Sequence, residues 1–125
     1  MFSLTVRDHI MIAHSLPHPS FGPAQQLHGA TLVAEVTWHR DGLNDQGVVF
    51  DIGAAQELLG EVLDGLRYRN LDDHPAFSAT FSTTEAIARH IAEEIRSAMP
   101  TSEFSAIEVL LRENPDAWVR YRIDL

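Results

Sequence analysis

The spacing of apolar residues changes twice along this chain, and these changes constrain its fold more than any other feature. Residues 2–14 (FSLTVRDHIMIAH) and 30–40 (ATLVAEVTWHR) are rich in β-branched and large apolar residues, which is typical of strands. From Gly53 the period lengthens to that of an amphipathic helix. Four apolar residues then share one helical face: Leu58, Leu59, Val62 and Leu66. Strand-like patterns return at the end, in AIEVLLRE and AWVRYRIDL.

A second helix is predicted after Ser82. In the stretch Ser82-Thr83-Thr84-Glu85 we expect a capping box, with the Ser82 hydroxyl accepting from the backbone N–H three residues on and Glu85 bonding back. Apolar residues at helical spacing follow it: Ile87, Ala88, Ile91 and Ile95.

Turn-forming residues separate the periodic segments. SLPHPSFGPAQQ forms the first loop, and DGLNDQG precedes a short run, VVFDI, that we expect to be a strand. Asn114, Pro115 and Asp116 connect the last two strands. The order of strands, two helices and strands predicts an α+β domain, with both helices on one face of an antiparallel sheet. We expect residues 1–125 to form this single domain.

The chain contains no cysteine and no lysine, and this excludes several kinds of site and catalysis. Disulfides, thiolate zinc sites, cysteine nucleophiles and lysine Schiff bases are excluded. A formal net charge of −9 makes nucleic acid an unfavourable partner. The sequence has no apolar run long enough to span a membrane, and MFSLTVRDH does not resemble a signal peptide. We expect a soluble, cytoplasmic protein without membrane partners.

Seven histidines suggest a metal site. His14 ends the first strand and His28 starts the second, so the loop between them can bring both imidazoles to one end of the sheet. Catalytic zinc needs three protein ligands and an open position. His9 is the nearest third candidate, but residues 9 and 14 face opposite sides of a regular strand, so only a β-bulge would bring His9 round. Otherwise, two such histidines are more often surface groups.

Two polar positions have both an ordinary and a functional interpretation. The start of the second helix, with Thr83 and Thr84, can hold a heteroaromatic ligand, although capping alone would explain it. Glu113 ends an apolar strand. Its carboxylate can accept two parallel hydrogen bonds from a guanine or pterin edge, although most such glutamates are simply solvated.

Five segments, taken in order, resemble the 6-pyruvoyltetrahydropterin synthase family, which includes the 6-carboxytetrahydropterin synthases. IAHSLPH and LHG resemble the zinc-histidine segments, and GVVFDI resembles the strand before the first helix. RNLDDHPAFSATFSTTEAIARHIAEEI resembles the central segment, and VLLRENPDAWVRY resembles the last hairpin. The resemblance covers nearly the whole chain.

The resemblance implies the T-fold, a four-stranded antiparallel sheet with two helices on one face. It also implies assembly into homo-oligomeric barrels whose active sites lie at subunit interfaces. By position, His14 and His28 match two zinc ligands, Glu113 matches the glutamate that anchors the pterin, and Thr83 and Thr84 match the pterin pocket.

Other family positions carry different residues here. The third zinc histidine falls at Ala30, and the cysteine used in proton transfer falls near Ala24. The family's Asp-His pair falls at Arg67 and Tyr68. Recognition residues are therefore kept while the usual proton-transfer residues are not.

One interpretation is a divergent zinc-dependent lyase or isomerase acting on dihydroneopterin triphosphate or a related pterin. Zinc would be held by His14, His28 and, through a bulge, His9. Tyr68 would transfer protons, its phenol pKa lowered by Arg67 or by the metal.

His74 and Asp73 are alternative acid-base candidates in that interpretation. The second interpretation is a non-catalytic pterin- or purine-binding protein that supports a partner enzyme. In a third, the barrel is kept only as a scaffold and Glu113 is an ordinary strand end.

Overall fold

The computed structural model describes all 125 residues. Four strands form one antiparallel sheet in the order β1-β2-β3-β4. They are β1 (Phe2–His14), β2 (His28–Arg40), β3 (Ala106–Asn114) and β4 (Ala117–Asp124). The two helices, α1 (Ile52–Asp64) and α2 (Thr84–Ser97), pack on one face of this sheet, α1 against β1 and α2 against β3 and β4. The predicted α+β architecture is confirmed.

The register of β1 against β2 is unbroken from Phe2 opposite Arg40 to His14 opposite His28. Alternate residues of β1 therefore point to opposite sides of the sheet. The buried positions, among them Val6 and Ile10, are all even-numbered and lie under the helices. This regularity decides which histidines can meet.

The hydrophobic core lies between the helices and the sheet. It is a cluster of 23 buried residues, and the largest side chain in it, Trp38, is fully enclosed. The indole N–H of Trp38 donates to Met99 Sδ at 3.1 Å, so this buried donor is not left without a partner. Both helices contribute buried side chains to this core, among them Leu59 and Leu63 of α1 and Ile91 of α2.

The run VVFDI does not form the predicted strand. Asp51 is the N-cap of α1, and its Oδ2 accepts from the backbone N–H of Ala54 at 2.8 Å. Phe50 packs edge-to-face on Trp38, with ring centroids 5.1 Å apart. Val49 and Phe50 are therefore explained by core packing at a helix start and not by strand pairing, while Val48 and Ile52 are exposed.

The capping prediction for α2 is wrong by one residue. Thr83 is the N-cap, and its hydroxyl accepts from the backbone N–H of Ala86 at 3.2 Å. Ser82 lies one residue outside the helix, where its buried side chain contacts His14 instead. Neither helix is long and apolar enough to cross a membrane.

Candidate functional site

His14 and His28 form a close pair at one end of the sheet. They are directly opposite in the β1–β2 register, and their ring centroids lie 4.6 Å apart at an interplanar angle of 61°. Nδ1 of His14 is 2.9 Å from the carbonyl oxygen of Ser82, and Nδ1 of His28 is 2.8 Å from that of Gln26. Because a carbonyl oxygen only accepts, each Nδ1 carries the hydrogen and each Nε2 keeps a free lone pair.

The environment of His14 favours its neutral form. Burial lowers the pKa of His14 below its ordinary value of 6.5, and the neighbouring His28 lowers it further. The Ser82 carbonyl, Asp72 and Glu113 oppose this shift but do not cancel it. At neutral pH His14 is therefore a neutral imidazole, the form that binds a metal or accepts a proton.

His9 does not join this pair, so its prediction as the third metal ligand is wrong. The β1–β2 ladder contains no bulge, and His9 is exposed on the side of the sheet opposite His14. Its ring nitrogen lies 3.9 Å from Asp8 instead. Ala30, on the same side as His28, packs against the apolar core.

The residues of one chain therefore provide only part of a zinc site. The two free Nε2 atoms, oriented by the two carbonyls, supply two of the three histidine ligands that such a site needs. No group of three His, Cys, Asp or Glu side chains in the chain is arranged to hold a metal ion. The family's three-histidine set is incomplete within the subunit.

A cavity of about 330 Å³ lies beside His14 and brings the predicted recognition residues together. Thr83, Thr84 and Glu113 line it with His14, although they come from three different segments of the chain. Ala24, near the position expected for the family cysteine, lines it too. Motifs that are far apart in the sequence therefore meet at one cavity.

The local structure explains how each lining residue reaches the cavity. Glu113 lies at an irregularity in the β3–β4 register between Arg112 and Asn114, and its side chain is exposed. Thr83 and Thr84 begin α2, whose first backbone N–H groups have no partners within the helix. The cavity therefore combines an acceptor on one wall with hydroxyls and donors on another.

Arg67 and Tyr68 lie outside this cavity. Arg67 Nε donates to Asp64 at 3.0 Å and its Nη1 donates to the His9 carbonyl at 2.7 Å. The hydrogen bond to Asp64 is the main reason why the pKa of Arg67 is raised, with Asp8 adding to it. Tyr68 is 78% exposed and has a left-handed φ of +58°. Neither residue reaches His14 within one subunit.

His74 is also separate from the cavity, and so is Asp73 beside it. Nδ1 of His74 accepts from the backbone N–H of Ala76 at 3.1 Å, and the ring packs against Phe77 and His90. His74 therefore caps a short helix and closes a groove between α1 and α2.

Sequence reasoning missed two residues at the site. The sequence predicts Ser82 to be a helix cap, whereas its carbonyl and hydroxyl both contact Nδ1 of His14. Trp118, on the wall of the cavity, was not considered. Its position beyond the turn that follows Glu113 was the available signal, since a large aromatic residue at a strand start needs packing or a ligand.

The chain matches known proteins over nearly its whole length. Residues 3–124 match the model of the family described as 6-pyruvoyl tetrahydropterin synthase. A 6-carboxy-5,6,7,8-tetrahydropterin synthase of Bacillus subtilis (strain 168) is 29% identical over 127 residues, covering 97% of this chain and 85% of that protein.

Solved structures show the same fold. The 6-pyruvoyl tetrahydropterin synthase of Caenorhabditis elegans superposes with a TM-score of 0.85 at 25% identity, covering 98% of this chain and 96% of that one. The enzyme of Plasmodium vivax has a TM-score of 0.78 at 15% identity, covering 99% and 98% of the two chains, and shares the fold. The predicted T-fold is confirmed, and the chain belongs to the 6-pyruvoyl tetrahydropterin synthase family.

Proposed function

We propose that this protein is a divergent pterin synthase that acts as a lyase on dihydroneopterin triphosphate or a related pterin. One observation carries the proposal: His14, Thr83, Thr84 and Glu113 line a single cavity. These residues come from the end of β1, the start of α2 and the end of β3. A relative named for pterin synthesis is similar over 97% of this chain.

Recognition would depend on the pairing of hydrogen-bond donors with acceptors. A pterin carries neighbouring N–H groups along one ring edge, and the exposed Glu113 carboxylate has two oxygens that can accept them in parallel. The cavity volume of about 330 Å³ lies in the range of small-molecule sites. Thr83 and Thr84 place hydroxyls at the other wall, where ring or side-chain oxygens of the ligand can be held.

The imidazole pair would act on the ligand side chain. His14 Nε2 and His28 Nε2 are the atoms that would hold zinc, with a third ligand supplied by the substrate, water or a neighbouring subunit. Bound zinc supplies Lewis-acid polarisation of a substrate oxygen. Burial of His14 keeps its ring neutral, so its lone pair is available at neutral pH.

We further propose that the protein works as a homo-oligomer in which neighbouring subunits complete each site. β1 and β4 are edge strands of the sheet, and such edges favour pairing with another chain. Tyr68 is exposed and does not line the cavity of its own subunit, so it would serve the site of a neighbour. His74 is the weaker acid-base candidate because Nδ1 already accepts a hydrogen bond.

A second candidate function is non-catalytic pterin binding. Ala24 favours it, because the cavity wall carries a methyl group near the position expected for the family's reactive cysteine, and this chain has no cysteine. In that case the protein would bind pterins but leave them unchanged.

The test combines metal analysis with turnover. Protein purified without a histidine tag would be assayed for zinc and incubated with dihydroneopterin triphosphate, with product detection by chromatography. Glu113→Gln should abolish both binding and turnover, because the amide places a donor against a donor. Glu103→Gln is the matched control: this exposed glutamate lies beside Arg40, away from the cavity.

Each outcome decides between the functions. The synthase function is supported if the wild type consumes the substrate and Glu113→Gln neither binds nor converts it. Tight pterin binding without turnover supports the binding protein. Equal behaviour of Glu113→Gln and Glu103→Gln would remove Glu113 from the site and contradict both.

A further inference from the structure

Ser82 presents two oxygen atoms to one ring nitrogen of His14. Nδ1 of His14 lies 2.9 Å from the Ser82 carbonyl oxygen and 3.0 Å from its hydroxyl oxygen. The two residues are 68 positions apart in the chain, and both are buried, with Ser82 3% exposed and His14 6% exposed. A buried hydroxyl without a partner is costly, and Nδ1 of His14 is the partner that this hydroxyl has. The ring is therefore held at Nδ1 by a distant, buried residue.

His28 is held differently, although it forms a pair with His14. Its Nδ1 contacts one oxygen, the carbonyl of Gln26, in an exposed hydrogen bond between residues only two positions apart. No side chain takes part in that contact. Two buried oxygens restrict the rotation of a ring more than one exposed oxygen does. The pair therefore consists of a firmly held imidazole, His14, and a more adaptable one, His28.

Ser82 also belongs to the segment that lines the cavity beside His14. It comes directly before Thr83, the N-cap of α2, and both Thr83 and Thr84 line that cavity. Residues 82–84 therefore carry the oxygens that hold the imidazole together with the hydroxyls that would hold a ligand. The orientation of the ring is set relative to the wall of the cavity.

We propose that Ser82 is a positioning residue whose hydroxyl fixes the orientation of the His14 ring and so keeps Nε2 as its available nitrogen. The carbonyl alone is enough to select the position of the ring hydrogen, as it is in His28. The hydroxyl supplies the second contact, and a ring held at two points loses less rotational freedom when its other nitrogen meets a ligand. The inference rests on the proposed function only where it gives the ring a part in turnover.

The experiment follows the Nδ1 proton of His14 by NMR in isotope-labelled protein at neutral pH. In the wild type this proton should exchange with water more slowly than the Nδ1 proton of His28. Ser82→Ala keeps the carbonyl and removes the hydroxyl, so exchange should become about threefold to tenfold faster, the effect of losing one hydrogen bond. Ser82→Thr keeps a hydroxyl and should restore slow exchange. Ser78→Ala is the matched control, because the Ser78 hydroxyl donates to the Pro75 carbonyl and does not contact His14.

Turnover of dihydroneopterin triphosphate is the second readout. Ser82→Ala should lower kcat by about threefold to tenfold and leave KM within about twofold of the wild type. The physical reason is that Glu113, Thr83 and Thr84 still recognise the pterin, while the imidazole that acts on its side chain is less well oriented.

The outcomes separate this inference from the proposed function. Equal exchange of the His14 proton in the wild type and in Ser82→Ala would show that the hydroxyl does not position the ring. Fast exchange in Ser82→Thr as well would show that side-chain shape matters instead, which also contradicts the inference. A His14 proton that exchanges in the wild type as fast as that of the exposed His9 overturns it without any variant.

A wild type that converts no pterin, but whose His14 proton is protected by the Ser82 hydroxyl, contradicts the synthase and supports the positioning role. Melting curves verify that each variant is folded.

Discussion

Replacing Ala30 by histidine tests whether His14 and His28 are two-thirds of a zinc site. Ala30 lies two residues beyond His28 on the same side of β2, and residues two apart in a strand are separated by roughly 7 Å along it. His14 is directly opposite His28, with ring centroids 4.6 Å apart. An imidazole at position 30 would therefore stand next to two whose Nε2 atoms are already free.

The expected gain follows from the number of ligands. Four-ligand structural sites bind zinc with about 10–16 kcal/mol, so one further ligand contributes about 3 kcal/mol. That corresponds to roughly a hundredfold tighter zinc binding than in the wild type. The added ring has a cost, because Ala30 is partly buried against the core and overpacking destabilises by about 1–3 kcal/mol. Metal-free Ala30→His should therefore melt below the wild type, and zinc should raise its melting temperature.

The assay is competition with a zinc-sensitive dye, followed by melting with and without zinc. Thr31→His is the matched control: it adds the same side chain one residue away, at an exposed position on the other side of the sheet. Adding His28→Ala to Ala30→His should remove the gain. If Ala30→His binds zinc no more tightly than Thr31→His, the pair is not a partial metal site.

Three further predictions follow from the structure. His9→Ala should leave zinc affinity unchanged in the same dye assay, because the ring lies on the opposite side of the sheet from His14, and a loss above tenfold would contradict that placement. Burial lowers the pKa of His90 below 6.5, so on acidification the imidazole is protonated in the unfolded chain before it is protonated in the folded one. The free energy of unfolding should therefore fall as the pH drops below about 6.5. His90→Gln should make that fall shallower in urea titrations at several pH values. Tyr68→Gly should raise the free energy of unfolding by about 1 kcal/mol, because glycine adopts the left-handed φ of +58° without strain and an exposed side chain loses little packing. A lower free energy of unfolding would show that contacts of the tyrosine ring stabilise the fold.

Much of the fold could be predicted from local pattern. The change of apolar period placed α1 and α2 between two pairs of strands, since a side chain's face follows from its position in a helix or strand. The same parity argument showed that His9 needs a bulge to reach His14. VVFDI was the exception: an apolar run of this length can pack at a helix start as well as in a strand.

The candidate site was predictable where family motifs mark it and not elsewhere. The sequence indicates Glu113, Thr83 and Thr84 through their chemistry and through the family resemblance, and all three line one cavity with His14. Arg67 and Tyr68 were assigned in the same way, but they lie apart from it in the subunit, and their catalytic role stays a prediction.

The sequence by itself determined the order of the helices and strands and the faces that they bury. It also excluded the catalytic and metal sites that need cysteine or lysine. Only the tertiary structure decided which side chains meet. Ser82 contacts His14 across 68 positions of sequence, and no local pattern encodes that contact. The stack of Arg112 on Trp118 likewise depends on strand register. Periodicity is a property of neighbouring residues, whereas a binding site joins residues that only the packing of distant segments brings together.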